Sequence, residues 1–157
     1  MIALLQRVSE AKVTIDDKIA GEIGPGLLIF LGVFQNDALE DTKFLTNKIV
    51  HFRIFDDDAG KMNRSLLDVE GAVLVVSQFT LCADTKKGRR PSFIKAAQPE
   101  LGEKFYNSFI QDLKERDINV STGIFGAMMR NGPRKEKNWP NFHYQAVIMV
   151  NVQLVAA

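Results

Sequence analysis

At the start of the chain Ile2, Leu4, Gln6 and Val8 alternate with Ala3, Leu5 and Arg7, and both sets are mostly apolar. That pattern predicts a strand covered on both faces, deep in a sheet. Lys12 to Ile15 alternates polar and apolar, Asp16-Asp17 makes a turn, and Ile19 to Ile23 returns, which is the pattern of a hairpin. Gly24-Pro25-Gly26 then breaks the chain before Leu27 to Val33, a short apolar run bounded by glycine that reads as a central strand. Asp37 and Glu40 have capping-box spacing, and Phe44, Leu45, Lys48, Ile49 and Phe52 follow at near-helical intervals, predicting an amphipathic helix from about Ala38 to Val50.

His51 to Phe55 alternates as a further strand candidate and ends in the acidic turn 56–60. Ala72 to Val76 is another buried-strand run, and it carries Ser77-Gln78-Phe79-Thr80-Leu81 directly onward. A polar, basic loop covers Asp84 to Pro91. Leu101, Phe105, Phe109 and Leu113 recur every four residues and place a second helix between Pro99 and Asp117. Val120 to Met129 is ambiguous, Arg130 to Asn141 is a charged loop punctuated by proline, and Tyr144 to Val155 alternates as a final strand. Strands outnumber helices and hairpin spacing favours antiparallel pairing, so the expected class is α+β, with two helices over one side of a strongly bent sheet.

Composition narrows the partners. A chain of 157 residues, 46% of them hydrophobic, fits one domain over residues 1–157. Twenty Lys and Arg against nineteen Asp and Glu leave a formal charge of +1, so any polyanion must be met by a local patch. The one cysteine, Cys82, makes neither an intramolecular disulfide nor a cysteine-rich zinc site, and points to a reducing compartment, the cytosol by default. The opening residues lack the layout of a signal peptide, and no run of about 18 apolar residues is present to cross a bilayer.

Most of the usual sources of chemistry fail on inspection. His51 and His143 have no nucleophile or orienting carboxylate at a recognised local spacing, and His51 reads as a structural residue at a helix end. An EF-hand register on Gly60 would put its first ligand at Phe55 and its last at Leu66, so 56–60 is an ordinary acidic turn. Gly24-Pro25-Gly26 has neither the third glycine nor the helix of a dinucleotide fingerprint. Two segments remain. Lys86, Lys87, Arg89 and Arg90 concentrate four cations around Gly88, either as a solvated loop or as a contact to a phosphate backbone. Phe93 beside them has either a core role or an unpaired base to stack on. Ser77, Gln78 and Thr80 put three hydrogen-bonding side chains at the end of an apolar strand, where neighbours or a ligand must satisfy them.

Blocks spread over residues 1–129 resemble, in order and at the right spacings, the D-aminoacyl-tRNA deacylases: 1–8, 21–28, 31–33, 53–55, 60–63, 77–81, 83–85, 88–93 and 122–129. The resemblance implies a barrel-like, mostly antiparallel sheet with two main flanking helices. It implies a cytoplasmic homodimer that hydrolyses the ester between a D-amino acid and the terminal adenosine of tRNA, and that clears misattached glycine, without cofactor or metal. The family's Ser-Gln-Phe-Thr motif falls on Ser77, Gln78, Phe79 and Thr80. The basic loop Lys86, Lys87, Arg89 and Arg90 becomes the contact to tRNA, with no role for DNA or membrane. The implied chirality filter is a cis Gly-Pro pair inserted from the other subunit, with main-chain carbonyls facing the substrate amino group; here its counterpart is Gly132-Pro133.

After Met129 the chain departs from the family pattern. Only Arg130 intervenes before Asn131-Gly132-Pro133, and the usual Val-Thr is replaced by Arg134-Lys135. Gly132-Pro133 is therefore either the filter or a plain turn. Because an aminoacyl ester is already activated, positioning it and offering a backbone N–H, that of Phe79, to the oxyanion supplies much of the rate, with the neighbouring ribose hydroxyl helping to activate water. Thr80 as a covalent nucleophile is the alternative chemistry. A tRNA-end binding module without catalysis is the alternative function.

Overall fold

A computed structural model describes residues 1–15, 18–86, 88–126 and 143–156, the stretch 143–151 as backbone only. The two N-terminal strand signals are one continuous strand, β1 (Ile2–Ile15), followed by β2 (Lys18–Ile23) and β3 (Gly26–Gly32). β1 organises the sheet. Its first half pairs with β3, from Ile2↔Gly32 to Val8↔Gly26. Its second half pairs with β2, from Ala11↔Ile23 to Ile15↔Lys18, which is the predicted hairpin; the Asp16-Asp17 turn lies outside the described residues. Along its other edge runs the final strand, β8 (His143–Val155), from Ile2↔Val155 to Thr14↔His143.

The predicted antiparallel bias holds for these pairs and fails for the rest of the sheet. β3 pairs in parallel with β6 (Ala72–Ser77), and β6 in parallel with β7 (Val120–Thr122). Each of these connections carries a helix, α1 (Leu39–Val50) after β3 and α2 (Pro99–Lys114) after β6. A crossover of that length returns the chain in the same direction, where a tight turn reverses it. β7 comes back to β2, with the Ser121 hydroxyl donating to the Glu22 carbonyl at 2.7 Å, so the mixed sheet bends into a nearly closed barrel.

Period-two alternation divides the apolar residues between two cores. Val8, Val13, Ile23, Leu28, Phe30, Leu74 and Val76 pack against one another on one face. Ala3, Leu5, Leu27, Ile29, Leu31, Val73 and Val75 meet Leu45, Ile49, Phe105, Phe109 and Leu113 of the two helices on the other. Both faces of β3 are thus covered, which explains its uninterrupted apolar run.

Local predictions shift in two places. The cap of α1 uses Asp41, whose carboxylate accepts the Ala38 N–H at 2.8 Å, and not Glu40. Asp37 instead accepts from the Met1 amino group at 2.6 Å and from the Phe34 N–H at 2.7 Å. Of the candidate strand 51–55 only Phe55 is extended, in β4 (Phe55–Asp56), which pairs with β5 (Met62–Arg64) across the acidic turn. The Asp57 carboxylate closes that turn by accepting the N–H groups of Ala59 and Lys61, so the acidic residues serve turn geometry.

Candidate active site

β6 ends at Ser77, on the C-terminal edge of the parallel strands, beside Leu31 of β3. The Gln78 N–H donates to the Leu31 carbonyl at 2.8 Å, and the chain then leaves the sheet into a 3-10 helix over Phe79–Cys82. The run of valines thus carries the chain to Ser77 but no further. The expectation that the strand runs on through residues 77–81 is corrected beyond Ser77.

Two features hold the turn in place. Gly32 lies beneath it: a Cβ there would sit 3.2 Å from the Gln78 carbonyl oxygen and 3.1 Å from the Cys82 sulfur. Cys82 is 2% exposed and its thiol contacts the Val33 carbonyl at 3.4 Å. With both ends fixed, Phe79 and Thr80 stand at the surface, Phe79 56% exposed. The Gln78 side-chain amide donates to the Thr80 hydroxyl, so two of the motif's polar groups satisfy each other and are oriented together.

Burial pushes the Cys82 thiol up to about 11, leaving it protonated and a poor nucleophile at neutral pH. Two outcomes are expected. In native protein at pH 8 the thiol should resist alkylation and should react once the chain is unfolded, as followed by mass spectrometry. Because the native value lies above the ordinary one, the unfolded thiol ionises first, and this group should lower stability as pH rises from 9 towards 11.

The chain leaves the 3-10 helix straight into the basic loop. Asp84 and Ser92 form a reciprocal backbone bridge, N–H to carbonyl at 2.8 Å and 3.0 Å, which closes the loop at its root. Lys86, Arg89 and Arg90 are exposed on it, whereas Lys87 lies outside the described residues. The next residue, Phe93, turns its ring onto Phe79, edge to face with centroids 5.2 Å apart. Phe93 therefore belongs neither to the core nor to an isolated loop; it joins the basic segment to the Ser77–Thr80 segment. At the end of β7 the Gly123 N–H donates to the Val75 carbonyl at 3.0 Å and Phe125 packs on Tyr106.

Of the residues singled out in the sequence, Ser77 and Gln78 are half-buried at the strand end, Phe79 and Thr80 are exposed beyond it, and Lys86, Arg89 and Arg90 are exposed on the loop that Phe93 joins to Phe79. Gly132 and Pro133 lie outside the described residues. His51 is elsewhere, exposed at the end of α1 with Nδ1 2.9 Å from the Asn47 carbonyl. Among the described residues no three His, Cys, Asp or Glu side chains converge on a common point suited to a metal, and no helix is long and apolar enough to cross a membrane. A cavity of about 310 Å³ lined by Arg7, Ser9, Pro25, Phe55 and Asp56 contains none of the Ser77–Thr80 residues. Its Arg7 is engaged with the Ile54 carbonyl at 2.7 Å and Asp56 at 3.1 Å. Sequence reasoning missed Gly32 and Asp84 as supports of the site. The signal for Gly32 was a glycine closing an apolar strand, and that for Asp84 its place at the head of the basic run; both also fall within blocks that carry the family resemblance, 31–33 and 83–85.

Comparison with known proteins gives this arrangement its context. The sequence model of the D-Tyr-tRNA(Tyr) deacylase family matches residues 4–133. The D-aminoacyl-tRNA deacylase of Chloroflexus aurantiacus is 56% identical over 130 residues, 83% of this chain and 81% of the relative. That of Photobacterium profundum is 54% identical over 130 residues, 83% of this chain and 90% of the relative. Among solved structures, the c-Myc DNA unwinding element binding protein superposes with a TM-score of 0.82 at 30% identity, covering 100% of this chain and 99% of its own. A probable eukaryotic D-amino acid tRNA deacylase shares the fold, with a TM-score of 0.74 at 15% identity over 98% of this chain and 96% of its own. The family model and the relatives together define a hydrolase of aminoacyl-tRNA. The chain belongs to the D-Tyr-tRNA(Tyr) deacylase family, and its activity is that of a D-aminoacyl-tRNA deacylase.

Proposed function

We propose that the chain hydrolyses the ester linking a D-amino acid, or misattached glycine, to the terminal adenosine of tRNA, and that Ser77, Gln78, Phe79 and Thr80 form the reacting site. The observation that carries this reading is the exposed 3-10 turn itself, anchored at Leu31 and Cys82 and internally oriented by the Gln78 to Thr80 hydrogen bond. The first N–H groups of a helical turn have no acceptor within it. The Phe79 N–H opens this one, which makes it a fixed donor for the oxyanion that forms when water attacks the ester carbonyl. Among the described residues the Thr80 hydroxyl is hydrogen-bonded by the Gln78 amide and not by a base, which favours a role in orienting the substrate over covalent attack. The substrate's own ribose hydroxyl then assists the water.

The remaining parts of the reading belong to the assembly. Phe79 and Thr80 lie open on one chain, so enclosing an aminoacyl group requires a second surface. A homodimer in which the partner supplies Gly132-Pro133 as the chirality filter provides it, and the cytoplasm is where charged tRNA is met. Lys86, Lys87, Arg89 and Arg90 contact the phosphates of the acceptor end. The deciding experiment incubates the protein with D-Tyr-tRNA and L-Tyr-tRNA and follows the free amino acid. Release from the D ester alone supports the reading, and salt-sensitive tRNA binding with no turnover of either overturns it. Replacing Arg89 or Arg90 by Ala should weaken tRNA binding and lower the salt slope by about one for each phosphate left without its cation.

A further inference from the structure

We propose that Asp84 is a positioning residue that sets the basic loop in the conformation that meets the tRNA backbone; this rests on the reading of that loop as the tRNA contact. One carboxylate oxygen of Asp84 accepts the Lys86 N–H at 3.0 Å, which folds the first turn of the loop. The other accepts the Lys95 ammonium at 3.0 Å. Lys95 is itself fixed, because its carbonyl accepts the Gln35 N–H at 3.0 Å and the next residue, Ala96, bridges to Phe34. With the Asp84 to Ser92 backbone bridge, the carboxylate therefore ties both arms of the loop to the connection after β3. Between these ties the chain turns through Gly88, at φ +76°, a conformation that favours glycine. The Lys86 N–H bond, and then Lys95, hold the Asp84 carboxyl below the usual carboxylate range, so the anchor is charged at neutral pH.

A carboxylate at this place acts in two opposed ways. As a charge it repels phosphate, so removing it alone tightens tRNA binding. As an anchor it presents Lys86, Arg89 and Arg90 together, next to the Phe93 ring that touches Phe79, so removing it scatters them. The two effects have opposite signs, and the geometry assigns the larger one to the anchor: the carboxylate spends both oxygens on bonds within the loop root and competes poorly for anything beyond it.

The test compares Asp84→Ala with Asp84→Asn in steady-state hydrolysis of D-Tyr-tRNA. Both remove one negative charge, but asparagine keeps an oxygen for the Lys86 N–H. Asp84→Ala is expected to raise KM about tenfold, the scale of one hydrogen bond to a charged group, with kcat changed far less. Asp84→Asn should recover most of that loss. A fall in KM of equal size in both variants, or a fall in kcat with KM unmoved, overturns the proposal. A third protein carrying Lys86→Gln, Arg89→Gln and Arg90→Gln separates the levels. If it leaves KM unchanged, the reading of the loop as the tRNA contact is wrong. If it raises KM while Asp84→Ala does not, that reading stands and the role of Asp84 falls.

Discussion

Replacing Phe79 by proline is expected to lower kcat by about 100- to 1,000-fold, the range measured for loss of one oxyanion donor, while the tRNA KM moves little. The substitution is chosen for what it removes. Proline lacks the N–H, and the first position of a helical turn is where the backbone tolerates it. Gln78 ahead of it (φ −143°, ψ 82°) lies outside the helical region that proline disfavours in its predecessor. The control is Phe79→Ala, which removes the ring that meets Phe93 but keeps the N–H. Because Phe79 is largely exposed, the alanine variant should retain most of kcat. Single-turnover hydrolysis of D-Tyr-tRNA by both proteins decides the point. Equal inactivity would assign the effect to the ring and remove the backbone donor from the mechanism.

How such a donor comes to be held in place explains what was legible in the sequence. Alternation gave the strands, because each one sorts its residues between two real cores, as Leu28 and Phe30 separate from Leu27, Ile29 and Leu31. Four-residue spacing gave α2, whose Leu101, Phe105, Phe109 and Leu113 face the sheet. The direction of β6 was not legible from its own residues, since parallel and antiparallel partners present the same apolar run; the signal lay in the helix between β3 and β6. The end of β6 was missed for a different reason. Phe79 and Leu81 continue the alternation, but the Leu31 carbonyl takes the last sheet bond and Gly32 leaves room for the chain to turn, both of which are tertiary facts.

The proposed site residues were singled out through resemblance, because chemistry of the kind proposed, resting on a backbone N–H, leaves little mark on side-chain composition. A serine, a glutamine and a threonine with no histidine nearby look like a satisfied strand end. The basic loop was visible as a charge run, yet its attachment to the motif through Phe93 and its anchoring through Asp84 were not. The residues that support a site carry weaker local signals than those that contact a substrate, because what they touch is distant in sequence, as with Gly32 and Cys82.

That difference between support of the fold and support of the site should appear when one substitution is made at the two ends of β3. At Gly26 an added Cβ would lie 1.9 Å from the Ala72 carbonyl oxygen and 2.8 Å from the Ala72 nitrogen, both backbone atoms of the neighbouring parallel strand. Backbone cannot step aside without separating β3 from β6, so Gly26→Ala should cost about 3 kcal/mol by overpacking. For a chain of this length that lowers Tm by roughly 6–12 °C. At Gly32 the Cβ would meet the Ile2 side chain at 2.8 Å, the Cys82 sulfur at 3.1 Å and the Gln78 carbonyl at 3.2 Å. Two of these are side-chain atoms, whose displacement costs less than parting two strands, and the third belongs to the turn that carries Phe79. Gly32→Ala should therefore cost only about 1 kcal/mol of stability but move the turn, lowering kcat by about tenfold, since misplacement of a reacting group by a fraction of an ångström is enough for that. Thermal unfolding and single-turnover kinetics on both variants resolve the contrast. If Gly32→Ala lost Tm as Gly26→Ala does while its folded fraction kept full kcat, the 3-10 turn would be a passive cap on the sheet rather than the element that aims the Phe79 N–H.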